Sequence, residues 1–267
     1  MKAKPYIGIT GFKTVREVTA VAELFTEALQ GFEEHYTAMF GFLTSTQSLV
    51  DYTKGGERCP PVQELQDLVR AVPDNFFPVI HHYTTEPDKL HSEVCQLRLQ
   101  IGRGWGLQIN SVWPKVDEVK RIRTEYDLSE VILQIPKEAL ESGPHLAWDR
   151  NLRMYAGLVD HVLIDPSGGL SIEFDVDKCV SLMKTASENL PDATIGVAGG
   201  LDGDNVRRKF GQVARDLKKP FSIDAEGRLR AEETFEGGSL LASERVKAYV
   251  EGAAEALKIS FDEGYLK

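Results

Sequence analysis

Polar side chains recur in this sequence just where short apolar runs end. Thr10, Thr44, Ser45, His82, Asn110, Lys137, Asp165, Ser167, Asp224 and Glu226 all sit at or just beyond such ends. Asp165 closes the run His161-Val162-Leu163-Ile164 and opens Asp165-Pro166-Ser167-Gly168-Gly169. A carboxylate at the end of a buried segment is partly stripped of water, which raises its pKa and suits it to general acid–base work. The same stretch also reads as a turn, with the Asp165 carboxylate bonding backbone amides ahead of Pro166. The sequence leaves both readings open. Asp224 and His82 are the further candidates for proton transfer. His81 and His82 are adjacent, so strand alternation sends one inward to meet a ligand and the other outward to pack. Thr10, Asn110 and Ser167 are candidates for binding substrate, joined by Arg58 from a long loop.

The elements that must position these groups follow from periodicity. Strands are expected near Tyr6–Thr10, Tyr36–Leu43, Phe77–His82, Gly106–Asn110, Val131–Ile135, His161–Asp165, Thr194–Ala198 and Phe221–Asp224. Continuous apolar runs suit parallel strands buried on both faces. Helical spacing fills the gaps. Val206, Phe210, Val213 and Leu217 recur every three or four residues, with Asp202 or Asp204 as the expected cap, and Val246, Val250, Ala253 and Leu257 repeat the pattern. About eight alternations of strand and helix predict a (β/α)8 barrel over residues 1–267 as one domain; an open doubly wound sheet is the competing arrangement. In such barrels the site lies at the C-terminal ends of the strands.

That placement gives the glycines a meaning. Ala198-Gly199-Gly200-Leu201-Asp202 joins strand seven to a helix. Two glycines let the backbone approach a ligand, and a helix N-terminus favours an anion. The loops after strands seven and eight are a frequent phosphate site in barrels. Gly168, Gly169, Gly199, Gly200 and Gly227 are therefore the candidate phosphate-binding residues, against the plainer reading of tight turns. Lys137 reads as a solvated helix start rather than a Schiff-base lysine. His91 and Cys95 share a helix face in the outer layer, so no metal site is expected, and no cofactor.

The 267 residues carry a net charge of −10, with 42% hydrophobic and 27% charged residues. This is a globular composition. Its acidity argues against nucleic acid and anionic membrane as partners. Three scattered cysteines, Cys59, Cys95 and Cys179, form neither a disulfide framework nor a zinc motif. With no signal-like or membrane-length apolar segment, a cytoplasmic setting is expected, with a small-molecule substrate and possible homo-oligomers.

Several stretches resemble phosphoribosylanthranilate isomerase. Tyr6-Ile7-Gly8-Ile9-Thr10 is similar to that family's opening strand, Lys-Ile-Cys-Gly-Ile-Thr. Val197-Ala198-Gly199-Gly200-Leu201-Asp202-Gly203-Asp204-Asn205-Val206 is similar to its Leu-Ala-Gly-Gly-Leu-x-Pro-Glu-Asn-Val. Leu163-Ile164-Asp165 with Gly168-Gly169, and the tail from Gly237-Gly238 into Glu244–Val250, also follow its pattern. The resemblance implies a phosphate-binding barrel performing an Amadori rearrangement, with a strand-one cysteine as base and a strand-six aspartate as acid. The acid corresponds to Asp165. The base corresponds to Ile7, expected inside the mouth, which accepts no proton. At strand eight the family's Asp-x-Ser-Ser-Gly is replaced by Asp224-Ala225-Glu226-Gly227, and Glu226 would repel a phosphate unless Arg228 or Arg230 neutralises it. The sequence therefore predicts a divergent relative that binds or converts a small polar, sugar-like metabolite, with Asp165 as acid–base. A binding barrel without turnover and an authentic isomerase with a rearranged base are the alternatives.

Overall fold

The computed structural model describes residues 2–111, 113–135, 137–141, 148–168, 170–231 and 239–267. Strands and helices alternate along the chain: β1 (Tyr6–Thr10), α1 (Val15–Ala28), β2 (Thr37–Ser45), α2 (Leu65–Ala71), β3 (Phe77–Thr84), α3 (Leu90–Ile101), β4 (Gly106–Ser111), α4 (Val116–Glu125), β5 (Val131–Ile135), α5 (Lys137–Glu141), α6 (Trp148–Arg153), β6 (His161–Ile164), α7 (Val176–Asn189), β7 (Thr194–Ala198), α8 (Val206–Leu217), β8 (Ser222–Ala225) and α9 (Ser243–Asp262). The eight strands close into one barrel in chain order, and β1 pairs in parallel with both β2 and β8. The predicted (β/α)8 barrel is the fold.

Alternation along the strands divides the core in two. Tyr6, Met39, Phe77, Val79, Ile132, Leu163 and Ala198 form a small cluster inside the barrel. Their neighbours in sequence, among them Ile7, Phe40, Ile80, Leu133, Val162 and Val197, belong to the larger cluster under the helices. That layer also takes Val206, Phe210, Val213 and Leu217 of α8, and Val246, Val250, Ala253 and Leu257 of α9, as their spacing predicts. Ile7 is thus not in the mouth. It faces the helices, and Tyr6, Gly8 and Thr10 are the residues β1 turns inward.

The capping of α8 differs from expectation. Its N-cap is Asn205, which makes no side-chain cap bond. Asp202 instead accepts the amides of Asp204 and Asn205 at 3.0 Å, closing a turn ahead of the helix. The long connection from β2 contains 3-10 turns at Thr46–Leu49 and Val62–Glu64, and a further 3-10 turn, Gly227–Leu229, follows β8. No helix among the described residues is long and apolar enough to cross a membrane.

Candidate active site

At the C-terminal ends of the strands, inward-facing polar residues replace the apolar core. Asp165 follows β6 and is 7% exposed; Asp224, on β8, is 5% exposed. Both line one cavity together with His81, Gln134, Ser167, Gly199, Gly200, Glu226, Gly227 and Arg228. Its enclosed part measures about 50 Å³, room for a few waters.

The carboxyls are held from different sides. The Thr10 hydroxyl donates to both oxygens of Asp224, at 3.0 Å each. Burial pushes the Asp224 carboxyl up to about 8; the Thr10 bond opposes that rise, and the charges of Glu226 and Asp165 add to it. A carboxyl in that state is a proton donor at neutral pH. Asp165 accepts the Ser167 amide at 3.0 Å and its hydroxyl at 2.6 Å, and the Gln134 amide approaches at 3.4 Å. The turn reading of Asp165 holds in the structure: its Oδ1 closes the turn, and the residue also lines the cavity.

His81 supplies the histidine. Its Nε2 lies 2.9 Å from Gln108 Nε2, 3.2 Å from Asn110 Nδ2 and 3.2 Å from Gln134 Oε1. Burial pushes its pKa down to about 4, so the imidazole is neutral and available for hydrogen bonding rather than charge pairing. His82, the sequence candidate, faces the helical layer instead. It is fully buried between β3 and α3, with Nδ1 2.9 Å from Thr44 Oγ1 and Nε2 2.9 Å from Glu93 Oε2. Thr46 donates to the other Glu93 oxygen at 2.8 Å. This network ties the β2 loop to the barrel, and none of its members lines the cavity.

Glu226 continues the inward alternation of β8. Arg58 meets it from the β2 loop, 168 residues away, donating from Nε at 2.8 Å and from Nη2. Arg230 donates to Oε1 from Nη2 at 3.0 Å and from Nε at 3.2 Å. Burial works against the charged form of Glu226, but the bonds and charges of the two arginines prevail and hold its pKa low. Arg58, expected to bind substrate, thus bridges the rim of the mouth. Arg228 serves elsewhere, donating to Ser171 O, Glu173 and Asp202.

The five candidate phosphate-binding glycines fall in different places. Gly199, Gly200 and Gly227 line the cavity. Gly168 packs on Lys137, whose Cδ would lie 2.8 Å from an added Cβ, and Gly169 lies outside the described residues. Gly200 has φ +58°, and a Cβ there would meet Glu173 N and Ile172 C at 2.6 Å. A Cβ on Gly227 would lie 1.9 Å from Ser171 Oγ. Gly200 and Gly227 are approached by the chain's own loop between β6 and α7, by its backbone at Gly200 and by the Ser171 side chain at Gly227.

The mouth thus assembles Asp165, Asp224, Thr10, Ser167, Asn110, Arg58 and three of the glycines, and leaves out His82 and Gly168. It adds His81, Gln108, Gln134 and Glu226. Strand parity was the one signal for His81, and a strand that is apolar on both faces does not reveal its parity. Among the described residues no group of acidic, histidine and cysteine side chains could hold a metal ion.

No family model matches this chain, and no curated protein does. Solved structures do. The TrpF protein of Jonesia denitrificans is 16% identical over 95% of this chain and 98% of its own, with a TM-score of 0.63. A phosphoribosyl anthranilate isomerase in complex with reduced 1-(o-carboxyphenylamino)-1-deoxyribulose 5-phosphate is 16% identical, covering 95% of this chain and 100% of its own, with a TM-score of 0.56. Tryptophan synthase from M. tuberculosis is 13% identical, covering 95% of this chain and 93% of its own, with a TM-score of 0.58. Likeness at this level of identity shows the fold alone: over nearly its whole length the chain is a barrel like those of the phosphoribosylanthranilate isomerases.

Proposed function

We propose that this chain is an acid–base enzyme that moves a proton within a small, polar, sugar-like metabolite, an isomerase in reaction type. One observation carries the reading: two carboxyls from β6 and β8 line one small cavity, and one of them, Asp224, is held protonated near neutral pH. Isomerising a hydroxy-carbonyl or amino sugar needs a proton given to one atom and taken from its neighbour. Two acids in unlike environments divide that work. Asp224 donates first, and Asp165 accepts. The neutral His81 and Gln134 orient the substrate's oxygens. At the mouth β1 presents Gly8 and Thr10 and no cysteine, so the proton acceptor proposed here differs from the strand-one cysteine of the resembled family.

The test reads proton transfer without knowing the product. The protein is incubated in D2O with a panel of aldoses, ketoses and their amino derivatives, and deuterium entering carbon positions is followed by NMR. The wild type should label at least one compound. Asp165→Asn and Asp224→Asn should each slow labelling by roughly a hundredfold or more. No labelling by the wild type, or equal labelling by the variants, refutes the reading. A binding barrel without turnover is the alternative. Saturable binding with no labelling would identify it.

A further inference from the structure

We infer that the ligand presents an uncharged, hydroxyl-rich end, and no phosphate, to the β6–β8 side of the cup. The inference rests on the reading above that this cup is the working site. Three observations carry it independently of the resemblance.

The first is steric. A phosphate on the β7 and β8 turns needs open space over Gly200 and Gly227. On the side where a Cβ would stand that space is taken by the loop after β6, whose backbone at Ile172 and Glu173 lies within 2.6 Å of a Cβ position on Gly200, and whose Ser171 hydroxyl lies closer still to one on Gly227, although both glycines also line the cavity. The loop is fastened down. Arg228 donates to Ser171 O at 3.1 Å and to Glu173 at 3.0 Å, and the buried Lys209 donates to Phe174 O at 2.6 Å.

The second concerns donors. An anion at a helix N-terminus is bound by amides with no other partner. Ahead of α8 three amides have partners: Asp202 takes the amides of Asp204 and Asn205, and the Asn205 side chain accepts the Asp202 amide at 3.2 Å. Arg228, the cation beside the cavity, is shared between Glu173 and Asp202, at 3.0 and 2.7 Å.

The third is charge. Asp165, Asp224 and Glu226 all line this side of the cavity. Arg58 and Arg230 are both engaged with Glu226. A phosphate dianion entering here would face Asp165 and the ion-paired Glu226, beside an uncharged, protonated Asp224, without a free cation among these arginines. Hydroxyls suit the same surface, because they donate to Asp165 and accept from Ser167, Gln134 and a protonated Asp224.

The test uses the full chain and calorimetric titration with pairs of compounds: five- and six-carbon aldoses and polyols, each with its terminal phosphate ester, and inorganic phosphate alone. At least one unphosphorylated compound should bind saturably, and its ester should bind at least about tenfold more weakly. Glu226→Gln should narrow that gap by removing one carboxylate. A protein that binds selectively but never labels its ligand defeats the proposed reaction and leaves this inference standing. Tighter or equal binding of the ester, saturable competition by inorganic phosphate, an unchanged gap in Glu226→Gln, or no binding by any unphosphorylated compound at tens of millimolar would overturn it.

Discussion

Replacing Asp224 by Asn removes a titrating group while keeping its shape and its ability to accept from Thr10. The structure gives the sign of the effect. Asp224 is 5% exposed, and its folded pKa is raised to about 8. In the unfolded chain it titrates near 4. Between those values the folded state holds a proton that the unfolded state has released, so stability falls as pH rises through the window, and the loss is complete above about pH 8. Each pH unit is worth about 1.4 kcal/mol, which sets a ceiling of about 4 kcal/mol at pH 7. Relaxation and water entry reduce this, so a loss of about 1–3 kcal/mol between pH 5 and 8.5 is expected. The Asn variant escapes that loss. Urea denaturation at pH 5, 7 and 8.5 should show the wild type losing stability with pH relative to Asp224→Asn, the two curves diverging most at pH 8.5. Parallel curves would refute the reasoning, because the carboxyl would then not be held protonated by its surroundings, and Asp224 would lose its role as donor.

Gly200→Ala should destabilise by about 2–4 kcal/mol, since both its φ and the loop backbone at 2.6 Å oppose a side chain. Gly211→Ala, on α8 where an added Cβ meets nothing within 4 Å, should instead stabilise by about 0.5–1 kcal/mol; thermal melts of the two variants check both. Arg230→Met should cost about 1–3 kcal/mol by leaving the half-buried Glu226 with one cation, and adding Glu226→Gln should recover part of it. Arg58→Met should cost less, because its side chain is 44% exposed. Glu93→Leu should destabilise by about 2–3 kcal/mol, by stranding His82 and Thr46, and leave the deuterium labelling of folded protein unchanged, whereas His81→Leu should lower the labelling.

The barrel was legible because its evidence is distributed: eight apolar runs alternating with helical spacings allow few arrangements, and an error of two residues at a strand end changes none of them. The mouth was less legible for a specific reason. Which side chains face inward depends on parity, and a one-residue slip reverses it. The run Phe77-Pro78-Val79-Ile80 is apolar at both parities, so nothing local distinguishes His81 from His82. Only closure around all eight strands places Phe77, Val79 and His81 on the inner face. The same ambiguity put Ile7 in the mouth when β1 turns Gly8 and Thr10 inward. Long-range partners were harder still: that Glu226 needs a cation is readable from its position, and Arg230 is four residues away, but Arg58 reaches it across 168 residues. The glycines show the deepest limit. A Gly-Gly after a strand says that something comes close to the backbone there. It does not say what, and at Gly200 and Gly227 the nearest occupant is the chain's own loop. A motif that cradles a ligand in one barrel can therefore be retained in another for packing, and this is why the resemblance carries the fold across while the chemistry has to be argued from Asp165, Asp224 and His81.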